Sequence, residues 1–145
     1  GYWLPKDAIQ EERGTWISNG TIQEYLSGIR AKNSLLIADA CFAGSIFKTR
    51  NAFAKNAYAI KELYELPSCK AMTSGYMTTV PDKSVFLEYL LKRLLENKNR
   101  YLTSEKLFSS FKEAVINNSP THQTPFFGVI RESGDEGGDF VFIRK

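Results

Sequence analysis

The chain has 145 residues, of which 43% are hydrophobic, 13% aromatic and 24% charged. This composition is that of a globular protein of about one domain, which excludes a disordered scaffold and a repeat array. The formal net charge of +3 is too small for the strong basic footprint of a nucleic-acid-binding protein.

Targeting and redox signals predict a soluble, cytoplasmic protein that does not contact a membrane. No apolar run approaches the ~20 residues of a membrane helix, and the amino terminus lacks the basic-then-apolar build of a signal peptide. Cys41 and Cys69 are therefore expected to be reduced thiols, with a disulfide between them in an exported protein as the alternative. The single histidine, His122, leaves a His/Cys metal site short of ligands, so no metal cofactor is expected.

The first half of the chain predicts a helix followed by a buried strand. Residues 1–17 contain glycine and proline breakers and predict irregular or part-extended backbone. Thr21 and Glu24 have the spacing of a capping box, and the apolar residues that follow recur on one face, so a helix is predicted from about Thr21 to Arg30. The apolar run from Ser34 to Ala40 predicts a strand buried on both faces, as in a parallel sheet between helices.

The second half predicts alternating strands and helices. Residues 45–69 look least ordered, apart from a possible helix near residues 58–66 that ends at Pro67. Lys70 to Ser74 predicts a short strand, and Ser84 to Asn97 an amphipathic helix. Thr103 predicts the cap of a further helix with Glu105 in its first turn. Strands over 126–130 and 140–143, joined by the turn SGDEGGD, complete an α/β sandwich with a central mixed sheet flanked by helices.

The segment DACFAG, Asp39 to Gly44, carries the clearest chemical signal. A cysteine directly after a buried strand is held on a rigid element, at the edge where open α/β sheets place their ligands. Such a cysteine can attack a carbonyl carbon while its own backbone amide donates to the developing oxyanion. The alternative is a buried cysteine that packs as a small apolar side chain.

DACFAG preceded by SLLIA resembles the nucleophile motif of caspase-like cysteine peptidases, in the metacaspase and bacterial-caspase form. The resemblance continues in order through GYWLPKDA, MTSGY, SVFLEYLLKRLL, QTPFFGVI and GGDFVFIRK. It implies that residues 1–145 are the carboxyl-terminal two-thirds of one caspase-like domain. The implied parts are a nucleophile-bearing region (1–44), an inter-subunit linker (45–69) and a small-subunit-like region (70–145).

The resemblance also implies the roles of individual residues. Cys41 would be the nucleophile of a cysteine endopeptidase, with its backbone amide in the oxyanion hole. The catalytic histidine of the family lies roughly 50 residues before the cysteine, which places it in a segment or partner chain upstream of Gly1. His122 lies where the family has no catalytic histidine. Asp39 would line the specificity pocket and favour Arg or Lys before the scissile bond, since a desolvated carboxylate prefers a cation; the alternative is that Asp39 accepts backbone hydrogen bonds at the strand end.

Further expectations follow for activation, metal and partners. Activating cleavage of a zymogen would fall in the linker, where the basic candidates are Lys48, Arg50, Lys55 and Lys61. The acidic turn could suggest calcium, but it lacks the spacing of an EF-hand loop and is read as a tight turn, so no cofactor is predicted. The partners are then a protein or peptide substrate and the histidine-bearing segment. The competing function is a catalytically inactive caspase-like regulatory or scaffolding module.

Overall fold

A computed structural model of the chain describes residues 1–42, 46–48, 60–76, 84–121 and 123–145, with Cys41, Phe42 and Tyr76 described for their backbone alone. The strands are β1 (Tyr2–Trp3), β2 (Ile17–Ser18), β3 (Asn33–Phe42), β4 (Ser68–Tyr76), β5 (Tyr101–Thr103), β6 (Phe126–Val129) and β7 (Val141–Ile143). The helices are α1 (Asn19–Gly28), α2 (Ile60–Glu65), α3 (Val85–Glu96) and α4 (Ser104–Asn118). The predicted α/β class is confirmed.

The central sheet has the strand order β3-β4-β6 and is mixed, because β3 runs parallel to β4 whereas β6 runs antiparallel to it. Alternation along β4 places successive side chains on opposite faces. Met72 packs into a core with α3 and α4, and Ala71 packs into a second core with residues of α1. Helices therefore cover both faces of the sheet, as the apolar patterning predicts.

The strand predicted over Ser34 to Ala40 is present as β3 but is less buried than predicted, whereas β4, for which no burial was predicted, is buried over most of its length. Every residue of β4 from Ser68 to Gly75 is buried. Among the described residues β3 lies at the edge of the sheet, and Ile37 near its middle is 39% exposed. The apolar run did not predict this difference. A run of apolar residues indicates that both faces of a strand are covered, but it does not indicate how many strands pair with it. β3 also continues beyond Ala40, through Cys41 to Phe42.

The start of α1 differs from the predicted capping box. The helix begins at Asn19, and Ser18 is its cap, with the Ser18 hydroxyl accepting a hydrogen bond of 3.0 Å from the backbone N–H of Thr21. The Thr21 hydroxyl is paired with the same oxygen at 2.9 Å and caps nothing itself. Serine and threonine both cap helices, and the sequence spacing alone did not show which of Ser18 and Thr21 does so here.

The helices of the second half agree closely with their predictions. α3 begins after Ser84, whose hydroxyl accepts a hydrogen bond of 3.0 Å from the N–H of Leu87. α4 begins after Thr103, whose hydroxyl accepts one of 3.2 Å from the N–H of Lys106. Their apolar faces meet β4 and β6 in a core that includes an edge-to-face contact between the rings of Phe86 and Phe111.

The segment predicted as a linker contains well-fixed structure where it is described. Ile46 and Phe47 are buried, and Phe47 forms a bridge with Ile130 beyond the end of β6. The predicted helix near residues 58–66 is present as α2, and β4 already begins at Ser68. No helix in the described ranges is both long and apolar enough to cross a bilayer.

Candidate active site at the carboxyl edge of the sheet

Two sequence segments meet at the carboxyl ends of the neighbouring parallel strands β3 and β4. Cys41 lies opposite Gly75 in the strand register, and Phe42 lies opposite Tyr76. The nucleophile motif and the MTSGY segment, 34 positions apart in register, therefore form one edge. We call residues 39–42 and 73–76 the carboxyl edge; open α/β sheets bind their ligands at this end of their strands.

A β-bulge lies in β3 immediately before Cys41. Ala38 pairs with Thr73 and Cys41 pairs with Gly75, so three steps along β3 correspond to two along β4. The extra residue falls at Asp39 or Ala40, has no counterpart in the ladder, and increases the local twist. Because of the extra residue, the residues after the bulge no longer follow the simple alternation between the two faces of the sheet. The bulge is a feature of the backbone next to Cys41 that the sequence did not predict.

Asp39 is exposed on the bulged part of β3. No hydrogen bond or ion pair joins its carboxylate to another residue within the described part of the chain. Both roles considered for Asp39, in a specificity pocket and as an acceptor of backbone hydrogen bonds at the strand end, stay predictions.

Thr73 and Ser74 place two buried hydroxyl groups at the same edge. Thr73 is 1% exposed and Ser74 is fully buried, yet neither oxygen has a hydrogen-bond partner among the described residues. Buried polar side chains are nearly always paired, and exceptions call for an explanation such as a role in binding or catalysis. In the sequence, Thr73 and Ser74 stood out only as part of the MTSGY resemblance; the signal that marks them is two consecutive polar residues within a buried strand.

Gln123 adds a third unpaired polar group. It is fully buried, and its side-chain Nε2 has no hydrogen-bond partner among the described residues. Because β6 is antiparallel to β4 and Phe126 pairs with Thr73, the residues just before β6 approach the carboxyl edge. The backbone N–H of Gln123 donates to the hydroxyl of Ser119 at 3.1 Å, which ties this segment to the end of α4.

Cys69 lies at the opposite end of β4 and is a free, buried thiol. Its register partner is Ser34, whereas Cys41 is opposite Gly75, six positions further along β4. At about 3.3 Å per residue the two cysteines are ~20 Å apart, far beyond the reach of a disulfide. The alternative of a Cys41–Cys69 disulfide is therefore wrong. Burial raises the pKa of the Cys69 thiol above its ordinary value, which further disfavours reactivity.

Two carboxylates of the acidic turn accept hydrogen bonds from other groups of the protein. Asp135 accepts hydrogen bonds of 3.0 Å from the backbone N–H groups of Cys69 and of Gly137. Asp139 is buried and accepts from the Ser104 hydroxyl and, at 3.1 Å, from the N–H of Glu105. These contacts explain the turn without a cation. Within the described ranges, no group of three His, Cys, Asp or Glu side chains is arranged to hold a metal ion.

The remaining predicted residues fall partly outside the described ranges. His122, Arg50 and Lys55 are not among the described residues. Lys48 is exposed, but its N–H donates to the carbonyl of Val129 at 2.9 Å, and Lys61 lies within α2. Since peptidases bind an extended substrate chain, cleavage at Lys61 would require local unfolding, which makes it a poor processing site.

An apolar groove of about 440 Å³ lies between α2 and the β5–β7 pair, away from the carboxyl edge. Its lining consists of Ile60, Lys61, Tyr64, Tyr101, Val141 and Ile143.

No protein-family model, curated protein or solved structure matches this chain. The function is therefore argued from the site itself.

Proposed function

We propose that the chain carries the nucleophile of a caspase-like cysteine endopeptidase, with Cys41 attacking the peptide bond. The observation that supports this most is the bulge before Cys41 at the carboxyl edge, where Cys41 lies opposite Gly75, a residue without a side chain. A substrate carbonyl can approach there without meeting a side chain from the facing position of β4. The unpaired groups of Thr73, Ser74 and Gln123 give the same edge free hydrogen-bonding capacity.

The chemistry proceeds in two steps. The Cys41 thiolate attacks the carbonyl carbon, the C–N bond breaks, and the leaving amine takes a proton from the catalytic histidine. A water molecule, deprotonated by the same histidine, then attacks the thioester and releases the carboxylic acid and the thiol. The oxygen that becomes negative in both steps needs backbone donors, of which the Cys41 amide is one; losing such a donor costs about 100-fold or more in rate.

The substrate is proposed to carry Arg or Lys before the scissile bond. The support is the exposed Asp39 carboxylate, which no group in the described part of the chain neutralises. Arginine can pair with a carboxylate through two parallel N–H bonds, and lysine through a point charge.

The general base is proposed to come from a segment upstream of Gly1 or from a separate chain. The histidine in this sequence, His122, follows Cys41 by 81 positions and is assigned no catalytic part. The second candidate function is an inactive module that binds a partner at the carboxyl edge. The two candidates differ in whether a histidine is supplied.

The decisive test is hydrolysis of fluorogenic peptides that end in Arg, Lys or Asp, using protein that includes the upstream residues. We expect cleavage after Arg and Lys, and a loss of at least about 1,000-fold in kcat/KM for Cys41→Ala without a change in melting temperature. Asp39→Asn should lower kcat/KM for the basic peptides by about 100-fold and leave folding intact.

Three outcomes would contradict parts of the proposal. Cleavage after Asp would preserve the peptidase and overturn the role of Asp39. Activity that survives Cys41→Ala would overturn the nucleophile. No cleavage of any peptide would favour the inactive binding module.

A further inference from the structure

A crevice of about 380 Å³ lies between the carboxyl end of α3 and the first two turns of α4. We call it the α3–α4 crevice. The loop that joins α3 to β5 contributes to its lining, as do the buried side chains of Leu102 and Leu107. Its volume falls within the range of small-molecule sites, about 300–1,000 Å³. The crevice adjoins the start of α4, whereas Ser119 at the other end of this helix contacts Gln123 near the carboxyl edge.

The charged residues that line the α3–α4 crevice are three cations and one carboxylate. The cations are Arg93, Lys98 and Lys106, and the carboxylate is Glu96. No ion pair joins Lys98 or Lys106 to another side chain within the described ranges. Single exposed charges are ordinary on a protein surface. Three cations around one concavity of small-molecule size, however, produce a local excess of positive charge that attracts anions.

Arg93 has hydrogen-bond donors that the fold does not use. Its side chain is 38% exposed, and its Nη1 atom lies 3.5 Å from the Glu96 carboxylate. That separation is longer than a charge-assisted hydrogen bond of about 2.7–2.9 Å. The Nε atom is buried and has no hydrogen-bond partner among the described residues. Because buried polar atoms nearly always have a partner, this guanidinium has donors left for an oxyanion.

The loop that contributes Lys98 is held in one conformation by Asn97. The Asn97 side chain donates to the carbonyl of Asn99 at 2.8 Å and accepts from the N–H of the same residue at 3.1 Å. A loop fixed in this way loses less conformational freedom when a ligand binds. The side-chain amide of Asn99 also lines the crevice and has no partner in the described part of the chain. It can therefore both donate to and accept from a ligand.

We propose that the α3–α4 crevice binds a nucleotide, with its phosphate groups at Arg93, Lys98 and Lys106. Phosphate esters match this set of side chains, because guanidinium groups bind phosphate oxygens through two parallel N–H bonds and lysine binds them as a point charge. An inorganic phosphate ion would leave most of the 380 Å³ empty. The ligand must therefore carry a larger group beside its phosphates.

The uncharged lining favours a base as that larger group. Leu102 and Leu107 provide apolar contact for the flat face of a heterocycle. The free amide of Asn99 offers one donor and one acceptor, which is the pairing that asparagine makes with the edge of a base. Apolar walls with a few placed polar groups are typical of small-molecule sites. The proposal concerns binding alone and is independent of Cys41.

Fluorescence titration with N-methylanthraniloyl-ADP tests the proposal, in a buffer with about 150 mM salt and without divalent metal. We expect a dissociation constant on the order of 10–100 μM. Lys106→Glu should weaken binding at least about tenfold, because it replaces an attraction to the phosphates with a repulsion. Lys112→Glu is the matched control. It makes the same change on an exposed residue of α4 outside the crevice, and should alter the dissociation constant less than about twofold.

Removing the carboxylate should have the opposite effect. Glu96→Gln frees Arg93 from its ion pair and removes a negative charge from the lining, so the probe should bind about three- to tenfold more tightly. Glu24→Gln is the control, since Glu24 is exposed on α1, which packs on the other face of the sheet, and should leave the affinity unchanged. Circular dichroism melts of each variant separate loss of binding from loss of folding.

Competition identifies the class of ligand. Unlabelled ADP should displace the probe, and inorganic pyrophosphate, which has two phosphate groups and no base, should do so about 30-fold less effectively. Equal displacement by pyrophosphate would overturn the assignment to a nucleotide. The proposal would equally be overturned by a probe that does not bind at about 1 mM, by a probe that ADP fails to displace, or by equal losses in Lys106→Glu and Lys112→Glu.

Discussion

The two ends of strand β4 differ in whether their buried polar side chains have hydrogen-bond partners among the described residues. At the amino end, Ser68 donates to the Asn33 side chain at 2.8 Å, and the N–H of Cys69 donates to Asp135 at 3.0 Å. The ammonium of Lys70 lies 3.6 Å from the Asp139 carboxylate. At the carboxyl end, Thr73 and Ser74 have unpaired hydroxyls among the described residues.

This difference distinguishes buried polar groups that hold the fold together from buried polar groups that have no hydrogen-bond partner among the described residues. A buried polar group that is paired stabilises the fold, whereas an unpaired one costs free energy and persists only when something else favours it. One strand of nine residues contains both kinds. The polar groups at the amino end join β4 to neighbouring segments, whereas the hydroxyls at the carboxyl end have no partner among the described residues. Substitutions at the two ends should therefore affect different properties.

The largest stability effect is expected at Asp139. Its carboxylate is 1% exposed, receives two hydrogen bonds from the start of α4, and faces the buried ammonium of Lys70. Asp139→Asn should lower the free energy of unfolding by about 3 kcal/mol, because it leaves the Lys70 charge buried without a partner. Urea unfolding monitored by circular dichroism measures the change.

Two further variants complete the Asp139 experiment. Adding Lys70→Met should recover most of the loss, since it removes the unpaired charge and can still pack against the Phe127 ring. Lys32→Met is the control at an exposed ion pair, in which Lys32 and Glu65 lie 2.7 Å apart; it should leave the free energy of unfolding almost unchanged, because solvent screens exposed pairs. An Asp139→Asn variant as stable as the unmodified chain would show that the amino end is not held by this pair.

The two cysteines should differ in reactivity by at least about 100-fold. Burial raises the pKa of Cys69, so at pH 8 a smaller fraction is thiolate than in an ordinary cysteine, and the thiol is also shielded. Alkylation followed by mass spectrometry should label Cys41 quickly and Cys69 slowly. The rate of Cys69 alkylation should still increase with pH in the range where the alkylation rate of an exposed thiol has become constant. The Cys41→Ala variant isolates Cys69, and unfolding in urea should equalise the two rates.

Rapid labelling of native Cys69 would contradict its assignment as a buried structural thiol. Slow labelling of both cysteines would count against an open carboxyl edge.

Element types could be read from the sequence because local signals dominate them. The cap at Thr103 and the apolar spacing after it predicted helix α4 and its start, and the apolar run of β3 predicted a strand. The cap of α1 was assigned to Thr21 in place of Ser18, since both residue types cap helices and only tertiary packing decides between them. The short strands β1, β2 and β5 were missed, because two or three residues carry no periodicity.

The site was predictable only in part. The residues Asp39 and Cys41 follow from the motif, but the bulge between Ala38 and Cys41 is a property of strand pairing and has no local signature. The unpaired state of Ser74 and Gln123 depends on what packs around them, so residue type alone could not reveal it. The position of β3 at the edge of the sheet could likewise not be predicted from the sequence, since the order of strands in a sheet is determined by contacts between residues distant in sequence.

The contrast between the two ends of β4 is tested most directly with two serine variants. Ser68 and Ser74 are both buried on this strand, but only Ser68 has a hydrogen-bond partner among the described residues. Ser68→Ala should lower the free energy of unfolding by about 1 kcal/mol and leave kcat/KM unchanged, because it removes a structural hydrogen bond. Ser74→Ala should leave stability unchanged or slightly raised and lower kcat/KM for a basic peptide about tenfold.

The measurement is urea unfolding and peptide hydrolysis on both variants, in protein that includes the upstream segment. Opposite responses, stability for Ser68 and activity for Ser74, are the predicted result. A Ser74→Ala variant that loses stability and retains full activity would contradict the assignment of the carboxyl edge as the functional site.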